Sequence, residues 1–485
     1  MPLQAARPTF TSAEVSERHA TYGRHNLLAK AHRTLHGARF ASPDDRVTVA
    51  ERIADLALDR SLSLSPPAMH HTPVRYLRAD GSSRLHPVSR IAYTTQAMID
   101  AEARLLTAGR NVHGPTVTIA TVATVAEVDL PGRDHGLSVD EGLAVEKIAT
   151  SGRVLDVLVG PAGTGKTTTM AALRAAWEAE HGPGSVIGLA PSAAAAEVLG
   201  DELGVDTGNT VKWLTEWRRI PEPTTRRDRL AGQLARSPDR YSAGARELAA
   251  QVQQLDRAID ERCRHPGQLV IVDEASLAGT FALDELVGAA GDAGAKVLLV
   301  GDWAQLSPVD AGGASGLLVA DRGDLAAELV DVRRFHSDWE KTASVELRLG
   351  HEAAIDAYTG HGRVCGGDRT EMLERLYQGW KADIALGRSS LMIAADAATV
   401  AELNFRARAD RVTAGAVADD GLAIADGQRV GVGDEVITRS NNRLLVTGRR
   451  WVKNGSTSPP REAGKATGCT WIPATTPIRR PPMTG

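Results

Sequence analysis

Cysteine is scarce in this chain. Three residues, Cys263, Cys365 and Cys469, stand among 485, odd in number and far apart, which excludes a disulfide framework and a C-x-x-C metal knuckle. Aromatic residues make up 4%, with Trp (8) outnumbering Tyr (6) and Phe (5), so a base-stacking platform has few side chains to draw on. Neither charge dominates: 56 Lys+Arg face 60 Asp+Glu for a net charge of −4, which excludes a polybasic nucleic-acid binder and leaves only local basic grooves. No stretch approaches the roughly 20 apolar residues that cross a bilayer. The start, MPLQAARPTFTSAEVSERHA, has no apolar signal-peptide core. The expectation is a soluble cytoplasmic protein without a membrane partner.

What is present suits a folded protein with a sizeable core: 42% hydrophobic and 24% charged residues, in a length that suggests about three domains. The first stretch reads as helices separated by Pro-containing turns. Thr11-x-x-Glu14 has the pattern of a capping box, and Arg46 to Leu58 and Tyr93 to Leu106 carry apolar residues at helical spacing. His70-His71 has no carboxylate or cysteine at ligand spacing and reads as an ordinary turn pair rather than a metal site. From Leu137 short apolar strands (Val154 to Val159, Ser185 to Leu189, Leu269 to Val272, Lys296 to Val300) alternate with helices such as Thr167 to Glu180 and Ala193 to Leu203, the pattern of a buried parallel sheet. An Arg-rich insertion from Trp213 to Pro266 carries an amphipathic stripe at Leu248, Val252, Leu255 and Ile259; packing onto the domain explains that stripe better than a partner site. A second α/β unit follows, with a helix from Trp339 to Leu349, a strand at Ser390 to Ala394, a helix from Thr399 to Asp410 and a β element at Gly433 to Thr438. Beyond Asn454-Gly455 the chain is rich in Pro and Thr without periodicity and is expected to be disordered. The expected boundaries are a helical domain at residues 1–130, a first α/β domain at 131–325 with a helical insertion at 213–266, a partial second one at 326–454 and a tail at 455–485.

Three strand ends carry chemistry. Gly160-Pro-Ala-Gly163-Thr-Gly165-Lys166-Thr167 matches the phosphate-loop pattern G-x-x-x-x-G-K-[ST] after a strand and before a helix. Its glycines let backbone N–H groups turn in around phosphates, Lys166 adds a point charge, and the Thr167 hydroxyl suits a Mg²⁺ shell. Gly160, Gly163, Gly165, Lys166, Thr167 and Thr168 form the expected nucleotide-binding set. One repeat later, Leu269-Val-Ile-Val272 ends in Asp273-Glu274; Asp273 would hold Mg²⁺ and Glu274 would orient or deprotonate the attacking water. A further strand ends in Gly301-Asp302-Trp303-Ala304-Gln305-Leu306, where Gln305 can hydrogen-bond a γ-phosphate or the attacking water.

With these motifs in place, the chain resembles the superfamily 1 DNA helicases of the RecD/TraI type, and within them the helicase part of conjugative relaxase–helicases. Gly160–Thr167, Asp273-Glu274 and Gly301-Asp302-x-x-Gln305-Leu306 are similar to that family's motifs I, II and III, and Ala190-Pro191-Ser192-Ala193-Ala194-Ala195 to motif Ia. The resemblance implies DNA contacts at Ser192 and at Thr210, and at Val332-Arg333-Arg334-Phe335 a γ-phosphate-reaching arginine best matched by Arg334, for which a purely structural arginine stays open. It implies an α/β fold: a helical N-terminal domain, a RecA-like P-loop NTPase domain and an incomplete second RecA-like domain. It further implies ATP and Mg²⁺ as cofactors, ATP-driven 5′→3′ movement on single-stranded DNA, and the conjugation machinery or a chain supplying absent motifs as further partners.

The chain departs from the family pattern at three places. Glu141, in Leu137-Ser-Val-Asp140-Glu141, stands where the family has its adenine-reading glutamine; an ionised carboxylate accepts from the adenine amino group but cannot donate to the ring. No H-x-H-x-x-x-H-like cluster or tyrosine pair precedes the helical region, so strand nicking is not expected. Trp451-Val-Lys-Asn-Gly455 runs into the tail where the family has further DNA-gripping and arginine-bearing motifs, which reads as a truncated or frameshifted gene. The expected activity is ATP–Mg²⁺ binding with very slow turnover and no processive unwinding, the alternative being a nucleotide- and DNA-binding remnant without motor activity.

Overall fold

The computed structural model describes residues 12–64, 73–76, 92–126, 136–219, 221–237, 242–260, 265–305, 310–423, 429–438, 450–452 and 469–471. Thr11, His70, His71 and Leu306 lie outside the described residues. Contacts divide the chain into two units, Met1–Pro191 with Ala196–Lys341, and Ser192–Ala195 with Thr342–Gly485. The division thus falls at Lys341, where the sequence suggested boundaries at 130 and 325.

The first unit is built on a six-stranded sheet. Its strands are β1 (Leu155–Val159), β2 (Val186–Ala190), β3 (Asp206–Asn209), β4 (Leu269–Val272), β5 (Lys296–Gly301) and β6 (Ala327–Glu328). They lie in the order β3-β2-β4-β5-β1-β6, and every pairing is parallel. Register stacks Ile187, Val270, Val297 and Leu155 in one row across β2, β4, β5 and β1, and Leu189, Val272, Leu299 and Val157 in the next. These rows pack against α1 (Gln96–Arg110), α5 (Thr280–Asp292) and α6 (Ala314–Arg322) through Leu105, Leu283, Leu286 and Leu318. The helices α2 (Val139–Thr150) and α3 (Lys166–His181) pack on each other and place Ile148, Met170, Leu173 and Trp177 in the interior. A parallel sheet covered by helices needs apolar side chains in both directions, which explains the nearly unbroken apolar strands. The helix Gln96–Arg110, read from sequence as part of a separate N-terminal domain, is one of the layers on this sheet.

Ahead of it, Arg24–Thr34 and Pro43–Leu58 pair over small cores around Leu27, Ala31, Ala50 and Ala54. Ser42 opens the second of these helices with a capping box closed by Asp45. The 213–266 insertion contains the paired helices Pro221–Ala235 and Ala243–Asp260.

In the second unit Arg369–Ala385 and Ala397–Thr413 enclose Tyr377, Trp380, Leu403 and Ala407. The expected strand at Ser390–Ala394 does not form. Leu391 and Ile393 are 66% and 84% exposed and the segment pairs with no strand among the described residues; an isolated strand leaves its backbone groups without ladder partners. The β element expected at Gly433–Thr438 is the strand Glu435–Thr438, which pairs antiparallel with Arg450–Val452 and with Cys469–Trp471. That last pairing corrects the expectation of no strand after residue 454, because strand formation follows from a partner already in place rather than from the local Pro- and Thr-rich composition. The other residues of the expected tail lie outside the described ones.

Candidate functional site: the P-loop edge

All three chemical motifs leave the sheet at the carboxyl ends of neighbouring strands, the edge where open α/β sheets bind ligands. The P-loop follows β1, Asp273-Glu274 follows β4, and Asp302 follows β5, with β4, β5 and β1 adjacent. Gly163 and Gly165 have φ of +87° and +89°, left-handed values that a side chain resists. Space demands glycine there as well. A Cβ on Gly163 would stand 2.5 Å from the Cβ of Arg334, and one on Gly165 would run into Glu141 Oε1. α3 opens at Lys166, so its first N–H groups point into the loop, the arrangement that binds anions.

The Lys166 ammonium donates to the carbonyls of Gly160 (2.7 Å) and Pro161 (3.1 Å). Burial pulls its pKa down, while Glu274, Asp302 and Asp273 oppose that and Arg334 adds to it; these five charged groups therefore share one site. Thr167 Oγ1 is exposed and donates to Glu202 Oε2 at 3.4 Å. Thr168 is half-buried on the first turn of α3.

Asp273 is desolvated, which raises its pKa, with the Glu274 N–H (2.9 Å) and Lys166 pulling the other way. Glu274 is raised in turn by burial and then by the neighbouring charges of Asp273 and Asp302, against Lys166. Glu274 is also the one non-glycine with positive φ among the described residues, at φ 49° and ψ 40°, and its Oε2 is buried without a hydrogen-bond partner. Strained backbone and desolvated carboxylates concentrate at functional sites, which makes Glu274 a candidate residue. Asp302 is 3% exposed and accepts from the Ala304 N–H at 3.1 Å. Gln305 is exposed, its N–H donating to the Asp302 carbonyl.

Arg334 reaches this edge through backbone contact. The Arg333 N–H donates to the Gly163 carbonyl at 2.9 Å, which lays the Arg334 Cβ over Gly163. Glu141 does not stand open for a base. It is fully buried, accepts from the Ser138 N–H at 2.9 Å and is ion-paired with Arg333 at 3.3 Å. Thr210 is buried with its hydroxyl donating to the Ala190 carbonyl at 3.1 Å, a tie between neighbouring strand ends; its neighbours Val211 and Lys212 are the exposed ones. Ser192 caps α4 (Ala193–Leu203), its Oγ accepting from the Ala195 N–H at 3.1 Å. Sequence reasoning missed Glu202 and Arg333 as site residues. The neighbour of Arg334 was in view, whereas nothing in the local pattern marks Glu202.

The loop, the charge and the oxygen donors fit a nucleotide triphosphate with Mg²⁺. The P-loop supplies a cradle that only glycine fits, and the hydroxyl of Thr167 with the carboxylate of Asp273 is a hard oxygen set suited to that ion.

Comparison with known proteins finds relatives and a matching domain family. The AAA domain family matches residues 136–369. Over 367 residues the chain is 30% identical to the conjugal transfer protein TraA of Agrobacterium fabrum, covering 75% of this chain and 29% of that one. Over 178 residues it is 34% identical to the ATP-dependent RecD2 DNA helicase of Deinococcus radiodurans, covering 36% of this chain and 19% of that one. A crystal structure of the Pif1 helicase from Candida albicans aligns over 65% of this chain and 68% of that one, at 15% identity and a TM-score of 0.33. The chain spans less than a third of the length of these curated relatives.

Proposed function

We propose that the chain is a superfamily 1 helicase of the relaxase–helicase type, and that its first unit binds ATP with Mg²⁺ and hydrolyses it in support of 5′→3′ movement on single-stranded DNA in the cytoplasm. The observation that carries this reading is the convergence of Lys166, Asp273, Glu274, Asp302 and Arg334 at one sheet edge around a loop that only glycine can form. Lys166 exchanges the Gly160 and Pro161 carbonyls for phosphate oxygens. Thr167 and Asp273 would hold the Mg²⁺, and the ion would supply charge neutralisation to the phosphates. Glu274 takes a proton from the attacking water; burial leaves its carboxylate a stronger base than an exposed glutamate. Arg334 meets charge that develops on the γ-phosphate, and Gln305 orients the water. Ser192, at a helix N-terminus, and the exposed face beside Thr210 offer contacts to DNA phosphates. The TraA relatives favour conjugative transfer as the setting. Among the described residues no helix is long and apolar enough to cross a membrane.

The test is ATP turnover with and without single-stranded DNA, for the chain and for Lys166→Ala, together with strand displacement on duplexes bearing a 5′ or a 3′ tail. DNA-stimulated turnover abolished by the substitution, with unwinding from the 5′ tail, supports the reading. Nucleotide and DNA binding without turnover would instead favour a binding remnant, and no nucleotide binding would end the ATPase reading.

A further inference from the structure

Asp140 and Glu141 stand in the first turn of α2, and both reach the segment that follows β6 rather than open solvent. Asp140 Oδ2 accepts from the Val330 and Asp331 N–H groups, each at 3.3 Å. Glu141 divides its carboxylate. Oε2 accepts from the Ser138 N–H at 2.9 Å, and Oε1 meets Arg333 Nη1 at 3.3 Å while lying against the Cα of Gly165. Arg333 in turn spans the loop: its N–H holds the Gly163 carbonyl at 2.9 Å and its guanidinium also meets Asp331 Oδ2 at 3.1 Å. Leu329 begins this segment with its N–H on the Val159 carbonyl at 2.8 Å, continuing the pairing of β6 with β1.

We propose that Glu141 is a positioning residue that braces the P-loop at Gly165 against Arg333, holding Arg334 over Gly163, and that it takes no part in reading the nucleotide base. The physical argument is one of direction and supply. A carboxylate only accepts hydrogen bonds, and this one is fully buried with both oxygens engaged on the loop side of α2. An aspartate would not reach Gly165 from the same Cα, and a glutamine would turn a donor toward either Ser138 N–H or Arg333, both of which donate already. The residue therefore matches its neighbours as glutamate and would mismatch them as the amide. Two consequences follow. The P-loop and the 329–334 segment move as one piece, and ATP and GTP meet the same site with no discrimination from position 141. The second consequence rests on the ATPase reading; the first does not.

The experiment has two arms on the full chain. Hydrogen–deuterium exchange of nucleotide-free protein is followed over residues 160–167 and 329–336 in wild type, Glu141→Ala, Glu141→Gln, Arg333→Ala and the Glu141→Ala/Arg333→Ala double variant. Each alanine variant is expected to speed exchange in both segments about tenfold, the double variant no further than either single one, and Glu141→Gln to fall between. Fluorescent ATP and GTP analogues are then titrated, and the ratio of their dissociation constants is expected to stay within about threefold of wild type in every variant. Exchange confined to residues 138–150, or additive effects in the double variant, would overturn the brace. A tenfold gain in ATP preference on Glu141→Gln would show that position 141 faces the base. If wild type binds neither analogue, the ATPase reading fails and the exchange arm alone decides the brace.

Discussion

Replacing Glu274 with glycine removes the proposed general base, and the geometry predicts that the fold gains from the loss. Glu274 occupies the left-handed region at φ 49° and ψ 40°, where a side chain costs roughly 1–2 kcal/mol. Its Oε2 is buried without a partner, and an unsatisfied buried acceptor costs about 1–3 kcal/mol. The like charges of Asp273 and Asp302 press in the same direction. Against these gains, glycine gives the unfolded chain extra freedom at about 0.5–1 kcal/mol. The net expectation for Glu274→Gly is a stabilisation of about 1–4.5 kcal/mol, and at roughly 2–4 °C per kcal/mol a melting temperature higher by roughly 2–18 °C. ATP turnover should fall by the 10²–10⁴ or so that a general base contributes. Differential scanning calorimetry at neutral pH, beside a turnover assay, reads both. A variant that melts lower than wild type would show that Glu274 is a packing residue in a relaxed turn, and would remove strain and desolvation from the case for catalysis.

Two further outcomes follow from the charges of the first unit. Removing Asp302's charge should let Glu274 ionise at lower pH, because the neighbouring negative charge adds to burial in raising its pKa. The acid limb of the ATPase pH profile therefore moves to lower pH in Asp302→Asn, and an unmoved limb would detach Asp302 from the base. Away from the site, Lys296 is fully buried with its ammonium 2.8 Å from Asp156 and 2.7 Å from Ser151, and Arg322 meets the other carboxylate oxygen at 3.3 Å. Asp156→Ala strands a buried cation and should cost about 3–5 kcal/mol. Lys296→Met leaves Asp156 with Ser151 and Arg322 and should cost less than half of that, as urea denaturation of the two variants would report.

What the sequence disclosed and what it hid separate along one physical line. The P-loop, Asp273-Glu274 and Asp302 were legible because each is a local rule: a strand that must be buried, a turn only glycine can make, a carboxylate at a strand end. β1, β2, β4 and β5 accordingly fall within a residue or so of the strands read from apolar runs. The hidden features depend on partners far away in sequence. Lys296 opens an apolar run as a lone lysine would, yet its burial is set by Asp156, 140 residues earlier. Ser390–Ala394 is an apolar run with no strand partner among the described residues, whereas Cys469–Trp471 lies in an aperiodic Pro- and Thr-rich stretch and pairs with Glu435–Thr438.

Glu141 shows how both kinds of information act at one residue. Leu137-Ser-Val-Asp140-Glu141 stands ahead of the P-loop in the sequence, and Ser138 with Glu141 forms the capping box that such a spacing allows. The role of Glu141 could not be read, because Arg333 lies 192 residues downstream and arrives only once β6 has paired with β1. The pairing of that short strand fixes the position of Arg333, Arg333 fixes which way the Glu141 carboxylate turns, and that direction separates a base reader from a brace. In this site the identity of a residue states what it can bond, and the sheet register decides with whom.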